Sequence, residues 1–149
     1  MEESEQMDAM RRGYDAMTVA TCGNYGAAAK MVAGSSHGKN PIVRAFVKGL
    51  SHCEDLKPEE IRETSVNEPL VNWHSIDGDL ALDAIYRTSG WAADLTDKEM
   101  LATSKALKDT EGLSVLPAST AGLLALLERH KVEPLPSDRY VAVITGRRS

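Results

Sequence analysis

The sequence predicts an α/β fold, a mostly parallel sheet flanked by helices, and three observations carry that prediction. Short β-branched runs such as Thr18-Val19-Ala20 and Tyr140-Val141-Ala142-Val143-Ile144 alternate with helical segments; strands alternating with helices of this length imply parallel pairing. The first of these runs breaks into a glycine-flanked polar turn, Thr21-Cys22-Gly23-Asn24-Tyr25-Gly26, and then into Ala27-Ala28-Ala29-Lys30-Met31-Val32-Ala33. Helix-start signals recur along the remainder of the chain.

Taken in order, residues 3–12 place Met7 and Met10 among charges and suggest an amphipathic helix that stops at Gly13. A strand over residues 17–20 follows. The turn after it leads to an expected helix over residues 25–33, small and apolar enough to pack on more than one side, ending at Gly34. Asn40-Pro41 reads as a helix cap with proline at the first helical position, and that helix closes at Gly49. Residues 50–72 are polar and low in periodicity, with one short helical turn expected near Pro58. Asp77 is expected to cap a helix over residues 79–88 that presents Leu80, Ala84 and Ile85 on one face. Residues 90–95 form a strand. Thr96-Asp97-Lys98-Glu99 is a capping box opening a helix to about Glu111, which Gly112 closes. Residues 113–116 are extended, Pro117-Ala118-Ser119 starts a helix over residues 120–130, and a buried strand ends in Thr145-Gly146. Ligands belong at the carboxyl ends of such strands, where residues 21–24 and Thr145 both fall.

With 149 residues and 42% hydrophobic content the chain suits one single compact domain with one core. A net charge of −5, with no basic cluster beyond Arg147-Arg148, argues against nucleic acid or an anionic membrane as partner. No apolar run is long enough to span a membrane, and the acidic start is the wrong charge for a secretory signal. A cytoplasmic location is expected, and two cysteines in dissimilar contexts fit a reducing compartment. The four histidines lack metal-ligand spacing, so no metal site is expected. Gly34-Ser35-Ser36-His37-Gly38 matches the G-x-S-x-G pattern of a hydrolase elbow. That motif needs a strand before the serine, whereas a helix is expected there.

In the turn after the first strand, Gly23 and Gly26 let backbone approach a ligand, and free N–H groups of a following helix favour an anion. A carboxylate or phosphate is the natural guest. Thr21-Cys22-Gly23-Asn24-Tyr25-Gly26-Ala27-Ala28 resembles the asparagine loop of fold-type-II pyridoxal-phosphate enzymes, which include threonine synthase and the tryptophan synthase β chain. Ala81-Leu82-Asp83-Ala84-Ile85, Asp97-Lys98-Glu99-Met100-Leu101, Glu111-Gly112-Leu113, Leu116-Pro117-Ala118-Ser119-Thr120-Ala121 and Val143-Ile144-Thr145-Gly146 follow one another as segments do near the end of threonine synthases. The resemblance implies a partial tryptophan synthase β-like fold, with residues 1–34 as the asparagine-loop segment and 35–149 as the carboxy-terminal segment. It implies that Thr21, Cys22, Gly23, Asn24 and Tyr25 face the substrate carboxylate and that Asn24 also lies beside the ring oxygen of pyridoxal phosphate. Thr145 would hydrogen-bond the pyridine nitrogen, and Ser119 would lie close to the substrate.

Two departures shape the functional expectation. The family's Schiff-base lysine precedes the asparagine loop, whereas the first lysine here is Lys30, after it. The glycine-rich phosphate loop has no counterpart between Gly34 and Asn72, and residues 38–46 resemble the segment that normally follows it. The sequence therefore reads as a shortened or internally deleted threonine-synthase-like lyase of amino-acid metabolism, inactive alone, with no catalytic residue assigned. The other readings are a non-catalytic module binding a small carboxylate or amino acid, or one piece of a split enzyme whose second chain supplies the absent segments.

Overall fold

The computed structural model describes residues 16–20, 30–36, 40–135 and 140–146, with backbone only for 16–20, 30–33 and 36. Among the described residues four strands, β1 (Ala16–Ala20), β2 (Lys30–Ser36), β3 (Trp91–Leu95) and β4 (Tyr140–Val143), form one sheet in the order β3-β2-β1-β4. All three pairings are parallel, as the alternation of strands and helices predicts. Helices α1 (Pro41–Val47), α2 (Gly78–Arg87), α3 (Asp97–Glu111) and α4 (Ala121–Val132) are joined by 3-10 turns at Pro58–Glu60, Glu68–Leu70 and Pro117–Thr120. The expected helix over residues 3–12 lies outside the described residues.

The helices cover both faces of the sheet, and β3 shows how its side chains divide between them. Trp91, Ala93 and Leu95 join Met100 of α3, Leu70, and Ala121, Leu124 and Ala125 of α4. Ala92 turns the other way, toward Ile42 and Phe46 of α1 and Ala81 and Ile85 of α2. That division is the period-two alternation of a strand with an apolar layer on each side.

Several local signals act as their chemistry predicts. The Asn40 side-chain oxygen accepts the N–H groups of Ile42 at 2.9 Å and Val43 at 3.2 Å, with Pro41 opening α1. Thr96 and Glu99 form the reciprocal capping box of α3, and Gly112 ends that helix with φ at 69°. The Glu99 carboxyl accepts the Thr96 hydroxyl and backbone N–H, which hold it below the usual carboxylate range. This favours the fold above that range and is lost as the pH falls through it.

Four expectations are corrected. Residues 30–33, expected as the end of a helix, belong to β2. That strand is bonded to β1 on one side and β3 on the other, and two ladders outweigh the helix propensity of Lys, Met and Ala. The elbow reading changes with it: a strand does precede Ser36, but Ser36 is itself in the ladder opposite Leu95, and α1 begins only at Pro41. A nucleophile elbow places its serine on the sharp strand-to-helix turn, whereas Ser36 lies within the ladder. In α2 the buried face is Ala81, Leu82 and Ile85, while Leu80 is 71% exposed. Asp77 makes no capping bond with its side chain; Asp79 instead accepts the Cys53 N–H at 2.6 Å.

Gly34 is set by packing. A Cβ there would lie 2.2 Å from the carbonyl oxygen of Ala121, the first residue of α4. Gly34→Ala is expected to lower stability by ~2–3 kcal/mol in a urea melt, because backbone cannot yield as a side chain can. Burial, followed by the neighbouring Asp79 carboxylate, pushes the Cys53 thiol up to about 11. Alkylation by iodoacetamide at pH 8, followed by peptide mapping, should therefore run about a hundredfold slower at Cys53 than at an ordinary exposed thiol.

Candidate functional site at the carboxyl ends of the strands

β1 and β4 are neighbours with Val19 paired to Val143, so both run out at the same end of the sheet. Ligands of open α/β sheets bind in the crevice at this end. Thr145 stands two residues beyond β4, and it is exposed. Thr21, Cys22, Gly23, Asn24 and Tyr25 follow β1 in the sequence and lie outside the described residues.

One carbonyl fixes the backbone beyond Thr145. Gly146 O accepts the Leu116 N–H at 3.0 Å and lies 3.2 Å from the Ser119 hydroxyl oxygen. That hydroxyl is also 2.7 Å from Leu116 O, so its single proton is shared between two carbonyls. Ser119 is 4% exposed. Its hydroxyl is thus engaged by backbone in this arrangement. A Cβ on Gly146 would lie 2.8 Å from the Leu116 side chain, so the glycine admits Leu116 and seals that flank. Thr145, next to this anchored glycine, is exposed and carries a neutral hydroxyl.

The other half of this end is covered by residues 64–70. Asn67 is fully buried; its side-chain oxygen accepts the Thr64 N–H at 2.9 Å and its amide nitrogen donates to Asp97 at 3.0 Å. The Thr64 hydroxyl donates to the other Asp97 oxygen at 2.7 Å. Since Asp97 opens α3 directly beyond β3, these bonds fasten the segment over the end of that strand. Ser35, near the end of β2, donates its hydroxyl to Leu70 O at 3.2 Å and fastens the other side. The segment thus lies over the ends of β3 and β2.

Sequence reasoning missed Asn67 and Asp97 as a pair. The available signal was Thr64 three residues before Asn67, the spacing at which a hydroxyl and an amide can each satisfy the other's backbone. Among the described residues no group of three or more His, Cys, Asp or Glu side chains is placed to hold a metal ion. No helix of the described residues is long and apolar enough to cross a membrane.

No protein-family model matches the sequence. Two curated proteins do: the threonine synthase of Methanocaldococcus jannaschii, 35% identical over 120 residues, and that of Methanosarcina acetivorans, 33% identical over 116 residues. In each case the match takes in 78% of this chain and 28% of the relative's length. Maize serine racemase shares the fold with a TM-score of 0.69 and 13% identity, over 98% of this chain and 48% of its own. The L-serine ammonia-lyase of Rhizomucor miehei, with 14% identity, reaches a TM-score of 0.61 over 80% of this chain and 37% of its own. The T.th. threonine deaminase, with 15% identity, reaches 0.58 over 80% and 40%. The sheet order and these comparisons agree: the chain has the fold of these serine racemase, ammonia-lyase and threonine deaminase structures, and in sequence it resembles a part of the threonine synthases, which are fold-type-II pyridoxal-phosphate enzymes.

Proposed function

We propose that these residues form the substrate-carboxylate and ring-nitrogen side of a threonine-synthase-like pyridoxal-phosphate lyase of amino-acid metabolism, working in the cytoplasm. The single observation that carries the reading is the β1 and β4 register. It brings the strand leading to Asn24 and the strand leading to Thr145 to one edge, where the family uses both segments on one cofactor. When bound, pyridoxal phosphate supplies an electron sink for the α-carbon of an amino acid. Thr145 fits the ring-nitrogen end of that group, and Asn24 with Thr21, Cys22, Gly23 and Tyr25 would take the carboxylate through charge-assisted hydrogen bonds. The ring nitrogen, facing a neutral hydroxyl, would stay unprotonated.

These 149 residues hold no lysine before Asn24, whereas the family's Schiff-base lysine precedes that loop and must be a desolvated, positioned amine. Lys30 is the first residue of β2, at the end of the strand away from the end where Thr145 stands. By themselves the residues are therefore inactive in this reading, and a second chain carrying the lysine segment and phosphate loop would complete the site. The match to about a quarter of each threonine synthase supports the need for further segments.

Mixing the protein with pyridoxal phosphate, reducing with borohydride and mapping peptides should give only scattered labelling; stoichiometric label on one lysine would overturn the inactive reading. The carboxylate pocket has its own test. NMR titration with phosphate and amino acids should shift the amides of residues 22–27 at millimolar ligand, since one or two charge-assisted bonds contribute ~1.5–3 kcal/mol each against the entropy of binding. Asn24→Ala should weaken that binding while the protein stays folded, and silence of those amides at tens of millimolar would refute the pocket.

A further inference from the structure

We propose that Ser119 is a positioning residue for Thr145, acting through the carbonyl of Gly146; the proposal rests on the ring-nitrogen reading of Thr145. Thr145 lies beyond Val143, the last residue that the sheet holds in register, so the ladder does not fix it. The anchor lies one residue further on, at the carbonyl of Gly146. The Gly146 carbonyl accepts Leu116 N–H at 3.0 Å and faces the Ser119 hydroxyl at 3.2 Å, two donors from one turn.

The turn is itself rigid. Ser119 N–H donates to Leu116 O at 3.0 Å, and the Thr120 hydroxyl donates to Pro117 O at 2.7 Å. The turn runs straight into α4, whose first carbonyl abuts Gly34 of β2. Contacts thus lead from the central strand through α4 and Ser119 to the residue that would meet the ring nitrogen. A hydrogen bond weakens steeply at closed angles, so losing the anchor at Gly146 O would let the residues beyond β4 shift and misalign a bond from Thr145. Ser119 is buried and its hydroxyl is engaged by the two carbonyls, which suits a part in holding this peptide.

Two readouts test the proposal. The first is ring-nitrogen preference, measured with pyridoxine phosphate, which has no aldehyde to react with lysines, and with its benzenoid analogue, in which C–H replaces the nitrogen. Wild type should prefer pyridoxine phosphate about fivefold, the equivalent of one ordinary hydrogen bond. Thr145→Val should abolish the preference. Ser119→Ala should reduce it to twofold or less with the affinity for the analogue unchanged, and Ser119→Thr should restore it. The second readout is amide exchange without ligand, where Ser119→Ala should speed exchange at Leu116 at least threefold and leave α2 unchanged. Should Ser119→Ala fail to fold, Ser119→Cys, close in volume and a weaker donor, serves the same comparison. A preference removed by Thr145→Val but kept in the Ser119 variant, or equal weakening of both ligands in that variant, overturns the proposal alone. Absence of any preference in wild type overturns the reading of Thr145 and the proposal with it.

Discussion

The contact between Gly34 and the Ala121 carbonyl sets how closely α4 approaches the sheet, and the placing of the turn before α4 follows from it. β2 is bonded on both sides, so it cannot shift to accommodate a side chain at Gly34. α4 answers with small residues on the same face, Ala121, Gly122 and Ala125, all buried. Leu95, Met100 and Leu124 fill the space that this close approach leaves. The turn before α4 is thereby drawn to the carboxyl end of the strands, where its donors meet the end of β4.

The two halves of that end are closed by different means. Residues 64–70 use a compact polar network in which the buried Asn67 amide is satisfied by Thr64 and Asp97. Such a network is stabilising only when each member finds its partner, and here both ends of the amide do. At Gly146 the closure is made by backbone and one hydroxyl, with Leu116 over the glycine. One half is thus filled by protein, and the other keeps an exposed hydroxyl at Thr145.

Much of the fold was legible because its signals are local. Asn40-Pro41, the Thr96 to Glu99 box and Gly112 each act within one helical turn, and the structure shows them at work. The error over residues 30–33 has the opposite origin: their state is decided by two neighbouring strands distant in sequence, so the tertiary context overrides propensity. Gly34 looked like a helix stop for the same reason, since its partner at Ala121 is invisible locally. In α2 the expected apolar stripe was wrong by one step, because the packing of Ala81 and Ile85 against Ile42 decides which side is covered. Of the candidate site, Thr145 and Ser119 are placed at the end of β4 and beside it, while the asparagine loop lies outside the described residues. The polar network of Asn67 was not legible, because Asp97 reads equally well as an ordinary acidic residue in the first turn of a helix.

The pairing of β1 with β4 also governs the order in which the molecule can be assembled. Ala16 is opposite Tyr140, so β1 obtains one of its two neighbours from a segment distant in sequence. Long-range parallel pairing must bear its loop-closure entropy before any contact rewards it, which makes this the slow event of folding. During synthesis from the amino terminus, β1 and β2 emerge long before β4, and until it arrives one side of β1 offers unpaired backbone groups to any other strand. Pairing of β4 therefore covers that side of β1 and, in the same event, brings Thr145 to the carboxyl end of the strands.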